Sequence, residues 1–185
     1  MSRLRTISTT TALVTGLVVA LTGIGAASAA PSHWERYVFE YGPEPSFCDG
    51  LIQHGVVTGM SRVTQHGDGL FYYYDEGEFT ETWTNPDDPE DFATVISRFK
   101  QSALAVTDNG DGTYQVLFAG PGTTDVYDGD TLVAHRAGQS RFILLFDDAG
   151  TPGDISDDQV IANLGTVKQV GTTFSYCDPI LAVVG

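Results

Sequence analysis

Five aspartates, Asp147, Asp148, Asp154, Asp157 and Asp158, crowd one stretch that also carries the breakers Gly150, Pro152 and Gly153. Carboxylates at that density can hold a hard cation, and calcium at extracellular millimolar levels is the metal they suit. The plainer expectation is a solvated acidic loop. A second stretch, Asp108-Asn109-Gly110-Asp111-Gly112, alternates oxygen donors as calcium loops do, but Gly110 breaks the required spacing. Its Asn-Gly and Asp-Gly pairs supply the positive-φ residues of a tight hairpin instead.

Other catalytic chemistry is sparse. His33, His54, His66 and His135 share no metal-ligand spacing, and neither Ser61 nor Ser140 has a neighbouring base or a nucleophile elbow. His54, beside Gly55 on a broken strand, could serve as an acid or base if it faced an interior. The tyrosine run Tyr72-Tyr73-Tyr74 offers more, because strand alternation sends Tyr73 to one face and Tyr72 with Tyr74 to the other. With Trp83, Phe118 and Arg141, these tyrosines form the candidate ligand-binding set: aromatic walls with a few polar tips, the general form of a small-ligand pocket. The same aromatics also suit a filled core. Arg141 opens an otherwise apolar strand and is expected to pair with Asp75 or Glu81.

Strands must position these groups. Short runs rich in Val, Ile, Thr, Phe and Tyr recur between Gly, Pro and Asp clusters, and helical periodicity is almost absent. About nine or ten strands are expected. Tyr37, Phe39 and Tyr41 alternate in the first, and Gly55 and Gly59 interrupt the second. Leu70 to Thr84 is long, with Phe71, Tyr73, Phe79 and Trp83 on one face. Phe92 to Phe99 returns from the turn at Asn85-Pro86, and pairing Asn85 with Phe92 would set Trp83 opposite Thr94 and Glu81 diagonal to Arg98. Hairpins follow around Asn109-Gly110 and Asp128-Gly129. Arg141 to Phe146 is apolar on both parities, as a central strand covered on both faces would be. Val160 to Val170 completes the sheet, and the apolar tail Pro179 to Val184 should dock as a last strand or turn.

The fold class is therefore all-β, a single antiparallel β-barrel of about eight to ten strands, with a two-sheet β-sandwich as the alternative. A barrel would remove exposed sheet edges.

Residues 1–29 read as a cleavable signal peptide: a basic start at Arg3 and Arg5, an apolar stretch from Ala12 to Ile24, and the small-residue run Ala26 to Ala30. Thr15, Gly16, Thr22 and Gly23 dilute that stretch below the roughly 20 apolar residues a spanning helix needs. Residues 30–185 are then one domain, secreted and extracellular, with no membrane attachment after signal cleavage. Of the nine basic residues the signal takes two and no acid, leaving seven against 24 acidic side chains, a charge of −17. That sign disfavours nucleic acid and anionic membranes. The only cysteines, Cys48 and Cys177, lie in the exported part, and an even count in an oxidising compartment implies a disulfide.

Three segments, Phe47-Cys48-Asp49-Gly50, Val106 to Thr113 and Asp148 to Asp158, together with the front and rear cysteines, resemble a recurring group of small secreted bacterial proteins without assigned function. That resemblance implies a family fold and carries over no catalytic residues. In architecture a secreted barrel of this size is also similar to lipocalins and to allene oxide cyclase and dirigent barrels, although the Gly-x-Trp start of lipocalins is missing; Trp34 lacks that context.

The leading functional expectation is a non-enzymatic barrel that binds a small apolar ligand or an extracellular partner protein, without a cofactor unless calcium occupies the acidic loop. A cyclase- or dirigent-like enzyme and a calcium-stabilised structural module are the alternatives.

Overall fold

The structure, a computed structural model, describes residues 33–48, 50–66, 70–151, 155, 157–172 and 176–185. Seven strands form one sheet in which each pairs antiparallel with the next: β1 (Glu35–Pro45), β2 (Ile52–Gln65), β3 (Phe71–Asn85), β4 (Asp88–Asp108), β5 (Thr113–Asp128), β6 (Thr131–Asp147) and β7 (Gln159–Gly171). One helix follows, α1 (Cys177–Val184). The all-β class is as expected. Among the described residues the sheet is not closed into a barrel, since the order runs from β1 to β7 without pairing the two ends, and they form no second sheet.

The strand count falls below the expected nine or ten because breaks read in the sequence lie within long continuous strands. Phe92 to Phe99 and Ser102 to Thr107 are both β4, and the runs on either side of Pro121 are both β5. The two hairpin turns fall where the Asn-Gly and Asp-Gly signals place them, with Gly110, Gly112 and Gly129 at positive φ.

A row of glycines crosses the sheet. Gly59 pairs with Gly77, Gly77 with Phe99, Phe99 with Gly122, Gly122 with Gly138 and Gly138 with Gly171. A Cβ on Gly77 would lie 2.6 Å from the Thr58 carbonyl oxygen, and one on Gly122 would lie 2.8 Å from that of Arg98. Only glycine admits backbones this close, and such lanes give a long sheet its curvature. The Phe99 and Tyr37 rings lie over Gly77 and Gly59 and cover the exposed backbone.

The glycine row lies between two clusters on one face, called here the inner face. Trp83, Ala93, Val95 and Val126 pack with Cys48, Leu51 and the α1 residues Ile180 and Val184. Val116, Phe118, Leu144 and Phe146 pack with Tyr73, Tyr114 and Phe142. Phe146 stacks on both Tyr73 and Tyr114 at 5.9 and 5.1 Å between ring centres. Arg141 to Phe146 is thus not a central strand covered on both faces. It lies in β6, next to the edge, and only its even positions Leu144 and Phe146 are fully buried.

The apolar tail docks as expected, but as a helix. Ile180 and Val184, four residues apart, bury one helical face. Pro179 sits in the first turn, where a missing N–H costs nothing. The Cys48–Cys177 disulfide is formed and spans 129 residues of sequence. It joins the connection between β1 and β2 to the first residue of α1.

The β3/β4 register differs by one residue from the expected one. Asn85 pairs with Asp88 in a tight turn, and a register shift between Thr84 and Asn85 then sets Trp83 opposite Ala93 rather than Thr94, while Glu78 rather than Glu81 meets Arg98. A one-residue slip exchanges faces, and this register puts small Ala93 beside the indole in the core.

Candidate functional site

Alternation along this register gives each expected site residue a face. Tyr73, Trp83 and Phe118 lie on the inner face. Tyr73 and Phe118 share one cluster, with ring centres 6.4 Å apart, and Trp83 belongs to the other. Tyr72, Tyr74 and Arg141 lie on the opposite, outer face, and the six do not enclose one cavity. Arg141 pairs with neither Asp75 nor Glu81: Asp75 accepts from the Tyr37 hydroxyl at 2.8 Å, and Glu81 accepts from Tyr41 and from Tyr176, the latter at 2.9 Å.

Tyrosines solve a problem of charge on the inner face. A carboxylate withdrawn from water needs donors, and each one here receives a phenol. Tyr114 donates to Asp158, Tyr73 reaches the same oxygen at 3.3 Å, and the two hydroxyls meet at 2.7 Å. Burial pushes Asp158 above the usual carboxylate range, with the two tyrosine hydrogen bonds partly opposing it. Asp75 is raised by burial as well. Burial also drives Tyr37, Tyr41, Tyr73, Tyr114 and Tyr176 well above the ordinary tyrosine value.

The acidic loop uses its other carboxylates locally. Asp147 accepts from the Ala149 N–H, Asp148 from the Gly150 N–H, and Asp157 from the Thr151 hydroxyl. Asp154 lies outside the described residues. Among the described residues no three His, Cys, Asp or Glu side chains converge as a metal cage.

An open groove of about 770 Å³ crosses the sheet over the glycine row, from Glu76–Glu78 on β3 to Val170 and Gly171 on β7. Its walls are outer-face side chains. Glu78, Arg98 and Thr123 stand on one side, and Glu76, Lys100 and Gln139 on the other. Five strands at the usual spacing make it about 19 Å long. Arg98 binds Glu78 at 2.8 Å and Lys100 binds Glu76 at 3.1 Å, so the charges along it are internally matched.

Arg98 also reaches Asp125 at 3.3 Å, and the other oxygen of Asp125 meets His135 Nδ1 at 2.5 Å. Asp125 is nearly buried at 8% exposure. The carboxylate orients the imidazole, yet among the described residues no hydroxyl or thiol hydrogen bonds to that histidine. Sequence reading missed this dyad, although Asp125 and His135 flank the Asp128-Gly129 turn and pair directly across it. His54 is also on the outer face, exposed and paired to Glu40 at 2.7 Å, and does not face an interior.

At the β2/β3 end of the outer face, Trp34 meets Tyr74 edge-on at 5.2 Å and Arg62 lies over the indole at 4.7 Å. Beyond the far wall of the groove, Arg141 and Lys168 face each other across β6 and β7.

No helix among the described residues is long and apolar enough to cross a membrane. Comparison with known proteins adds no assignment: no family model, no curated protein and no solved structure matches the chain.

Proposed function

We propose that this chain is a non-enzymatic extracellular binding protein whose binding surface is the outer-face groove. Export is supported by the signal-like residues 1–29 and is compatible with the Cys48–Cys177 disulfide. The observation that carries the reading is the groove itself: open, about 770 Å³, and ruled across five strands by a glycine row. The inner face suits an enclosed small apolar ligand less well, since Trp83, Val116, Phe118 and Phe146 are all at most 2% exposed, with side chains filling the space around them. An extended ligand laid across the sheet fits the groove better than a compact one.

The test is cosedimentation of the mature protein with cell envelopes and with the high-mass fraction of the producing organism's medium. Ala137 lines the groove, and Ala137→Trp fills it. Binding by the native protein that the filled variant loses is the expected result. Equal binding by both, or binding by neither, rejects the groove. A small-molecule mass on the native protein that disappears on denaturation would restore the enclosed-ligand reading.

A further inference from the structure

Six of the seven cations beyond residue 29 lie on the outer face: Arg36, Arg62, Arg98, Lys100, Arg141 and Lys168. Arg98 and Lys100 are matched by glutamates. Arg141 and Lys168 differ. They sit directly opposite each other, and like charges in that relation destabilise a sheet. Among the described residues neither has a carboxylate within salt-bridge distance, in a chain with 24 acidic side chains. The Nε of Arg141 is buried and has no hydrogen-bond partner. A buried donor left without an acceptor costs about 1–3 kcal/mol, more on a charged group, and calls for an explanation.

The pair borders the groove. Gln139 and Val170, which face each other in the far wall, are two residues along β6 and β7 from Arg141 and Lys168 and on the same face. We infer that Arg141 and Lys168 form the anion-binding end of the groove and that its occupant is a polysaccharide bearing sparse carboxylate groups. This rests on the groove being the binding surface.

Charge and hydrogen bonding select that class. A guanidinium and an ammonium set together match one carboxylate. The remaining groove charges are already paired, so they offer lone pairs and N–H groups to hydroxyls and gain little from further ions. Densely charged polyanions such as nucleic acids are repelled by the acidic remainder of the chain. A peptide would lie across the strands, where the amides and carbonyls of the floor are spent in the sheet ladder and cannot bind its main chain. A sugar chain needs only the side-chain donors and acceptors of the walls, Thr123, Gln139 and the two ion pairs.

The experiment is affinity electrophoresis of the mature, oxidised protein in gels containing dextran, low-substitution carboxymethyl-dextran, alginate, polygalacturonate or poly-glutamate. At least one of the carboxylated polysaccharides should retard the native protein at least tenfold more strongly than dextran. Arg141→Gln and Lys168→Gln should each remove that difference without lowering the melting temperature, because neither side chain has an ion-pair partner to lose. Added salt should weaken it. Equal retardation by neutral and carboxylated chains overturns the anion site while leaving the groove intact. Stronger retardation by poly-glutamate overturns the polysaccharide in favour of an acidic peptide. No retardation by any carboxylated chain overturns the inference, and envelope binding that Ala137→Trp still abolishes would show that the groove reading survives it.

Discussion

Gly77 and Phe99 face each other across β3 and β4, and the Phe99 ring occupies the space where a side chain on Gly77 would stand. The added methyl of Gly77→Ala would meet the Thr58 carbonyl oxygen at 2.6 Å and Phe99 Cζ at 2.9 Å. The carbonyl cannot move without breaking the ladder, so the expected cost is about 2–3 kcal/mol, the range of an overpacked core. Gly120→Ala is the control, since its nearest atoms lie at 3.6 Å. It should be neutral or stabilise by roughly 0.5 kcal/mol through the unfolded chain. Urea denaturation of both variants checks the contrast, and equal midpoints would show that the close approach at Gly77 does not require glycine.

The same row explains what the sequence conceals. Hairpins at Asn109-Gly110 and Asp128-Gly129 are legible because a two- or three-residue signal suffices for a turn. The long partners Gly59, Gly77, Gly122, Gly138 and Gly171 are scattered over more than a hundred residues, and only the register aligns them into one lane. Read singly, each interrupts a strand, which inflates the strand count. The candidate ligand set suffered from the same missing information. Alternation separates Tyr73 from Tyr72 and Tyr74, but the face of Arg141 depends on the bulge between Ala103 and Ala105 in the β4/β5 ladder, which local sequence does not announce. The apolar tail is expected to dock as a last strand or turn, whereas the spacing of Ile180 and Val184 also suits a helix, and packing on Trp83, Ala93 and Val95 decides between them.

Tyrosine ionisation should be coupled to unfolding. Tyr37, Tyr41, Tyr73, Tyr114 and Tyr176 are held neutral above the ordinary value of 10.0 by burial and further by the carboxylates beside them, with the Tyr114 hydrogen bond partly opposing this at Tyr73. In the unfolded chain they ionise near 10.0, so the stability they confer is full below that pH and is lost as pH rises beyond it. Absorbance at 295 nm should show these five titrating in one cooperative step that coincides with loss of near-ultraviolet dichroism. Gradual ionisation of all eight tyrosines in a folded protein would contradict the buried phenol–carboxylate pairs.

The carboxylates act in the same direction at lower pH. Asp75 and Asp158 are raised from 3.8, chiefly by burial. The folded state then binds protons more readily than the unfolded state between 3.8 and the raised values, and stability increases as pH falls through that window. Acidification also relieves self-repulsion in a chain with so many carboxylates. Denaturant midpoints should therefore rise as pH falls toward 3.8, and the double variant Asp75→Asn with Asp158→Asn should flatten the rise. An unchanged slope in that variant would assign the whole effect to surface charge.

Tyr114 should matter more than its position in the acidic-loop region suggests. Its hydroxyl bonds both Asp158 and Tyr73, and Tyr114→Phe leaves Asp158 with the longer 3.3 Å contact to Tyr73 alone. Stranding a partly buried carboxylate is expected to cost about 1–3 kcal/mol. Tyr74→Phe removes only a hydrogen bond to Glu76 on the outer face and should leave the unfolding midpoint where it is.

The disulfide and the helix should prove energetically coupled. Cys48, 1% exposed, packs in the cluster that receives Ile180 and Val184, and its partner Cys177 is the first residue of α1. The bond closes 129 residues, and removing it as Cys48→Ala with Cys177→Ala should cost about 2–5 kcal/mol. In the oxidised protein Ile180→Ala should cost a further 2–5 kcal/mol, roughly, since Ile180 has no exposed surface and a cavity would open beside Trp83. If the disulfide holds α1 against β3 and β4, the helix is loosened without it, and Ile180→Ala then loses less. A double-mutant cycle reads this as a coupling on the order of 1–2 kcal/mol. Strict additivity would mean that the eight residues of α1 dock by their apolar face alone and that the disulfide acts only on the unfolded chain.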